Sequence, residues 1–239
     1  MNDKNTIRLS TNIMKSHINN MLYKIIPRYM AKRYWSVYSK TFMNGTMSDS
    51  YKLMYEDLAR LCLREEPARI LEYGCGYGYL LNKVSEMNKN GREIEFYGVD
   101  FSVDQIETAK KYFQKGNFFC CDITKGLDRF KEEEFDVVMG VGVFMYINPK
   151  FMKYILSELR RICKRKLFLI EYYYRYLSEE KKKIYDTACF FDGRYVHDYK
   201  TLLMEEGFKN ITATQIGSFA DNKINRLGET PHTLLVAEK

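Results

Sequence analysis

Residues 70–78 read Ile-Leu-Glu-Tyr-Gly-Cys-Gly-Tyr-Gly. Arg69, Ile70 and Leu71 form a short strand pattern, and glycines then stand at alternate positions 74, 76 and 78. Apolar residues at 79, 80, 81, 84 and 87 follow with helical spacing. A strand, a glycine loop and a helix in this order bring a small ligand close to bare backbone at a positive helix end. Tyr97-Gly98-Val99-Asp100 closes a second strand, and Asp100 lies 22 residues past Gly78. A carboxylate at an offset of roughly 20 residues is placed to meet ribose hydroxyls.

Glycine spacing separates two ligand classes. A dinucleotide loop reads G-x-G-x-x-G and seats a pyrophosphate. Here the third position of that pattern is Tyr79, and the loop is instead G-x-G-x-G with Glu72 two residues ahead. In this the chain resembles the class I S-adenosylmethionine-dependent methyltransferases, over about residues 65–239. The resemblance implies an α/β fold: a doubly wound, seven-stranded, mostly parallel sheet with helices on both faces. It implies S-adenosylmethionine as cofactor, S-adenosylhomocysteine as product, and no metal. It assigns Asp100 to the ribose hydroxyls, Phe101 to the adenine face and Asp122 to the adenine amino group. Glu72, Gly74, Cys75, Gly76, Gly78, Cys121, Ile123 and Gly140 complete the expected cofactor set. Many relatives carry His where Tyr146 stands, so a base role inherited at that position does not transfer directly.

Outward from the loop, strands are predicted near 69–73, 94–99, 117–121, 136–141 and 166–172, then at 208–216 and 232–237. Helices are predicted at 77–88, 103–114, 149–164 from Pro149, and 198–206. Such alternation builds a doubly wound sheet. Residues 122–134 suggest one helical turn. An irregular insertion over 173–197, with a charged helical stretch near 178–188, stands where a substrate cover would sit. Ahead of the domain, a helix from Ser48–Ser50 to Arg64 would bury Leu53, Met54, Leu58, Leu61 and Cys62. Residues 1–64 read as an N-terminal helical arm. An apolar stripe from Thr11 and an aromatic segment from Tyr29 to Tyr38 suggest a lid, with Tyr34 and Tyr38 near the methionine end of the cofactor.

Charge is uneven along the 239 residues. Positions 1–40 hold eight Lys or Arg against Asp3, and the remainder balances 30 bases with 30 acids, so the net +7 sits on the arm. That fits either a nucleic-acid or anionic-membrane patch or the solvated face of a lid helix, and the lid is the favoured reading. The six cysteines (62, 75, 120, 121, 163, 189) include no C-x-x-C pair, so reduced thiols are expected. No apolar run approaches the ~20 residues of a membrane helix, and no signal-peptide core is present, so a cytoplasmic protein is expected.

Methyl transfer is an in-line displacement, served mainly by alignment and exclusion of water. Amines shed their own proton near neutral pH, whereas phenols and alcohols gain from a base. Candidates therefore stand at the carboxyl ends of strands four and five: Tyr146, Glu171, Tyr172 and, before the next helix, His197. The chain lacks the Asn/Asp-Pro-Pro-Tyr of exocyclic-amine methylation and the Pro-Cys of pyrimidine C5 methylation. A small-molecule N- or O-methyltransferase is the expected function, with no nucleic-acid partner. The rivals are RNA or protein methylation through the basic arm, and a non-catalytic cofactor-binding protein.

Overall fold

The computed structural model describes residues 49–173, 189–191, 194–215 and 232–239. Helix α1 (Asp49–Arg64) leads into β1 (Arg69–Tyr73), α2 (Tyr79–Met87), β2 (Glu95–Asp100), α3 (Val103–Tyr112) and β3 (Gly116–Cys120). Then come β4 (Phe135–Val141), α4 (Met152–Ile162), β5 (Cys163–Tyr172), the short β6 (Cys189–Phe191) and β7 (Arg194–Val196), α5 (Tyr199–Glu205), β8 (Lys209–Gln215) and β9 (His232–Glu238). Seven strands form one sheet in the order β3-β2-β1-β4-β5-β9-β8, while β6 pairs with β7. Strands β1 to β5 run parallel, and β9 lies antiparallel between β5 and β8. The expected lid over 11–40, with Tyr34 and Tyr38, and the helical stretch near 178–188 lie outside the described residues.

The central strands are apolar on both faces because helices cover both. Ile70, Val137, Met139, Phe168 and Ile170 pack with α1, α2 and α3. Leu71, Tyr73, Val138, Leu167 and Leu169 pack with α4 and α5. Helix α4 buries Met152, Ile155, Leu156, Leu159 and Ile162, the i, i+3, i+4, i+7 stripe of a core-facing helix.

Several boundaries differ from the sequence expectation. Pro149 opens a single 3-10 turn (Pro149–Phe151) capped by Asn148, and the α-helix begins only at Met152. Its C-terminal end passes directly into β5, which starts at Cys163 and not at 166, because Cys163 already pairs with Phe135 ahead of a register shift. In α1 the buried stripe is Met54, Leu58, Ala59 and Cys62, whereas Leu53 is 60% exposed. The stripe advances by four, and Leu53 falls one position outside it. This stripe joins the core beneath the sheet. The 173–197 segment, expected to be irregular, contains the β6–β7 pair.

One aromatic ring is accommodated by three glycines. A Cβ at Gly78, Gly98 or Gly116 would come within 2.7, 2.6 and 2.5 Å of Phe118 ring atoms. Phe118 is itself buried, so the close approach of β2, β3 and the glycine loop depends on the missing side chains.

Candidate functional site

The strand order reverses direction between β1 and β4, and in open α/β sheets ligands bind at the carboxyl edge beside such a switch point. The glycine loop leaves β1 there. Gly78 caps α2 at φ +82, a left-handed conformation that a side chain would strain, and the cap provides no side-chain acceptor for the first turn. Glu72 supplies an acceptor from the strand. Burial holds its carboxyl well above the usual range, the nearby Asp100 adds to the rise, and the Leu81 amide pulls the other way. An anion is favoured at such a helix start. Its Oε2 is buried without a partner.

Asp100 ends β2 against the same loop. Its Oδ2 accepts from the Gly76 amide at 3.1 Å and its Oδ1 from the Ser102 amide at 2.9 Å. Burial raises its pKa, and the amides of Ser102, Gly76 and Phe101 oppose the rise. Beside Gly76 the space is open: a Cβ there would meet nothing nearer than Gln105 Oε1 at 3.8 Å. An orphaned carboxylate oxygen, a buried Asp and an open cradle fit a nucleoside bearing an amino-acid group. Cys75 turns its thiol inward, where a Cβ on Gly98 would lie 2.8 Å from it, so only its backbone faces the loop.

Phe101 is half-buried after β2. The Cys121 amide donates to Asp100 O at 2.8 Å, which ties the end of β3 to that of β2. Asp122 caps the 3-10 turn Ile123–Lys125, accepting from the Thr124 amide at 3.1 Å and its hydroxyl at 2.6 Å. Ile123 is buried beneath it. These residues follow the carboxyl ends of β2 and β3.

The opposite side is built by the loop after β4. Gly140 lies under the Tyr73 ring, and Val143 presses its side chain against Gly74. Glu171, fully buried, accepts from the amides of Val143 (2.8 Å) and Phe144 (2.9 Å) through Oε1, and of Met145 (3.3 Å) through Oε2. His197, also buried, holds Phe144 O at 3.3 Å through Nε2. A carbonyl only accepts, so Nε2 carries the proton. Glu171 gives both carboxyl oxygens to loop amides, so the base role expected for it does not fit this geometry, and His197 is buried with its Nε2 turned to the loop. Tyr172 lies elsewhere again: it meets His232 edge-on at 4.4 Å, on the face opposite Glu171, as successive strand residues must. Tyr146 ends the 3-10 turn Phe144–Tyr146 and is half-buried at the loop's rim.

The structure adds a residue that the motif reading missed. Only four residues separate α1 from β1, so α1 runs back along the sheet and its first turns lie at the carboxyl edge. Tyr55 packs edge-on to Tyr79 at 5.3 Å, and its pKa is raised by burial first and by the charge of Glu72 second. The i, i+4 spacing of Tyr51 and Tyr55 on a helix entering β1 was the available signal.

Burial gives the two inner titratable groups opposite pH signatures. It pushes Glu171 from 4.5 up to about 8 against its three amide donors. It pulls His197 from 6.5 down to about 4, with backbone groups of Phe144 and Ile147 opposing. The contribution of Glu171 to stability is therefore full below 4.5 and lost as pH rises through about 8. That of His197 is full above 6.5 and lost as pH falls through about 4. Glu171→Gln should flatten the alkaline limb of a thermal-stability profile between pH 5 and 9, where the ionisation of Glu171 costs on the order of 5 kcal/mol. An alkaline limb as steep as in the unsubstituted protein would contradict the assignment.

Among the described residues, no three of His, Cys, Asp and Glu are grouped to hold a metal ion, and no helix is long and apolar enough to cross a membrane. Residues 70–166 match a family described as a methyltransferase domain. Among solved structures, the chain is similar to a candidate O-methyltransferase of Nostoc punctiforme (TM-score 0.63, 15% identity, covering 86% of this chain and 60% of that one). It is similar to the CurJ carbon methyltransferase (TM-score 0.60, 18% identity, 80% and 55%). It is also similar to the magnesium protoporphyrin IX methyltransferase of Synechocystis, solved with S-adenosylmethionine bound (TM-score 0.56, 16% identity, 80% and 80%). Identities this low speak for a common fold. The chain thus spans somewhat over half the length of the first two. No curated protein matches the sequence.

Proposed function

We propose that the chain is a class I S-adenosylmethionine-dependent methyltransferase, a reading supported by the methyltransferase-domain match over residues 70–166 and by the shared fold, and that it moves a methyl group to a nitrogen or oxygen atom of a small metabolite. The observation that carries the cofactor assignment is the pairing of Asp100 with the Gly76 amide beside an open cradle, with Glu72 Oε2 left unsatisfied. In this reading Asp100 takes the ribose hydroxyls, Phe101 lies on the adenine and Asp122 meets its amino group. Glu72 and the backbone of Gly74 and Gly76 face the amino-acid end. The cofactor, when bound, supplies a sulfonium methyl already primed for displacement.

The protein's own residues then align the acceptor and keep water out, which supplies much of the rate in such reactions. Tyr146 stands at the acceptor rim. Tyr55 lies beside Glu72 at the methionine end, where aromatic faces suit a cationic centre by roughly 0.5–2 kcal/mol each. With Glu171 and His197 turned inward, the arrangement favours an acceptor that needs little help in losing a proton, such as an amine. The balanced charge of residues 41–239 favours a small acceptor over a polyanion.

The full chain, incubated with S-adenosylmethionine and fractionated metabolite pools, should release S-adenosylhomocysteine with a small-molecule fraction. Turnover only with RNA or protein, falling steeply with salt, would replace the substrate class. Binding of S-adenosylhomocysteine without turnover on any fraction would favour a non-catalytic role.

A further inference from the structure

We propose that Glu171 and His197 are positioning residues that clamp the loop 142–147 from two sides and, through Val143, press it against the glycine loop, so that a single device sets both the methionine end of the cofactor site and the acceptor rim. The proposal rests on the cofactor reading above and goes further, because neither residue has to touch a ligand.

The geometry is closed on every side. Glu171 gathers successive amides of Val143, Phe144 and Met145 on one carboxylate. These amides open the 3-10 turn Phe144–Tyr146, and such a first turn has no acceptor of its own for its N–H groups. On the other side His197 fixes Phe144 O at 3.3 Å. His197 is itself placed by the β6–β7 pair, whose last strand ends at Val196, and by its bridge with Tyr173 at the end of β5. The Phe144 ring between the two grips stacks on Tyr73 at 5.0 Å and lies 6.0 Å from Tyr199. The loop therefore has amides, carbonyl and side chain all fixed. The residue it presents outward is Val143, whose side chain occupies the space that a Cβ on Gly74 would need. A tight glycine and a valine pressed on it form one contact between the two halves of the site. Tyr146 leaves the same turn, so the acceptor rim moves with it.

A purely structural role predicts lower stability with unchanged cofactor affinity in the folded state. A clamp predicts loss of affinity from residues that do not face the ligand. The test uses calorimetric binding of S-adenosylhomocysteine to the full chain, well below each variant's unfolding midpoint. Glu171→Gln and Val143→Ala are each expected to weaken binding about tenfold. The double variant should be hardly worse than the weaker single one, since both break the same chain of contacts. His197→Ala should reproduce the loss and His197→Gln should restore it, because the amide nitrogen of Gln can again reach Phe144 O. The rescue pair also keeps the test open should Glu171→Gln fail to fold. Unchanged affinity in His197→Ala, or losses that multiply in the double variant, would overturn the clamp. Failure of the unsubstituted chain to bind S-adenosylhomocysteine would instead overturn the cofactor reading.

Discussion

Asp100→Ala should lower the affinity for S-adenosylhomocysteine by two to three orders of magnitude while leaving the protein folded. Hydrogen bonds to a charged group contribute about 1.5–3 kcal/mol each, and two ribose hydroxyls are the proposed partners. The substitution also removes the acceptor of the Gly76 amide and so frees the middle of the glycine loop. Stability should suffer much less, because burial already disfavours the Asp100 carboxylate and its removal relieves that cost. Calorimetry alongside thermal unfolding separates the two effects. Asp100→Asn, which keeps an acceptor oxygen, should fall between. Affinity unchanged in Asp100→Ala would remove the ribose assignment.

Gly140→Ala should be strongly destabilising. The added carbon would enter the Tyr73 ring, which is fully buried and stacked on Phe144. Phe144 cannot retreat, because its amide and carbonyl are both held. Overpacking a rigid site costs typically 1–3 kcal/mol, and this position falls at the upper end, about 3 kcal/mol. Urea unfolding measures it directly, with the slope unchanged and the midpoint lowered. A loss below about 1 kcal/mol would mean that Tyr73 has another place to go.

Much of this architecture was legible in the sequence because parallel strands and amphipathic helices write their periods plainly. The stretch 70–78 fixed a strand, a loop and a helix start within nine residues. The acceptor side was harder to read. Alternation along β5 already separates Glu171 from Tyr172, but which of them faces the core depends on where the loop after β4 lands. Sequence position placed Glu171 near the chemistry, whereas its carboxylate proved to be consumed by backbone amides. The β6–β7 pair escaped notice because three-residue strands are too short to show alternation. Its available signal was Asp192-Gly193, the two residues separating runs of aromatic and apolar residues. Tyr55 escaped because the motif begins at Ile70, and only the direction of α1 brings it back.

Phe118 shows how far a motif can reach beyond its ligand. The third glycine of the G-x-G-x-G loop faces this ring, as do Gly98 and Gly116 on two neighbouring strands. Gly78 is therefore constrained twice, by its backbone conformation and by a buried aromatic side chain. The four positions form one inheritance unit. A descendant could admit Ala at 98 or 116 only after position 118 had shrunk, and shrinking 118 first would open a void next to the glycine loop. Each single step is costly, so the route between the two packings is narrow. Divergence in this part of the domain should proceed by compensated pairs, even among lineages that no longer share a substrate.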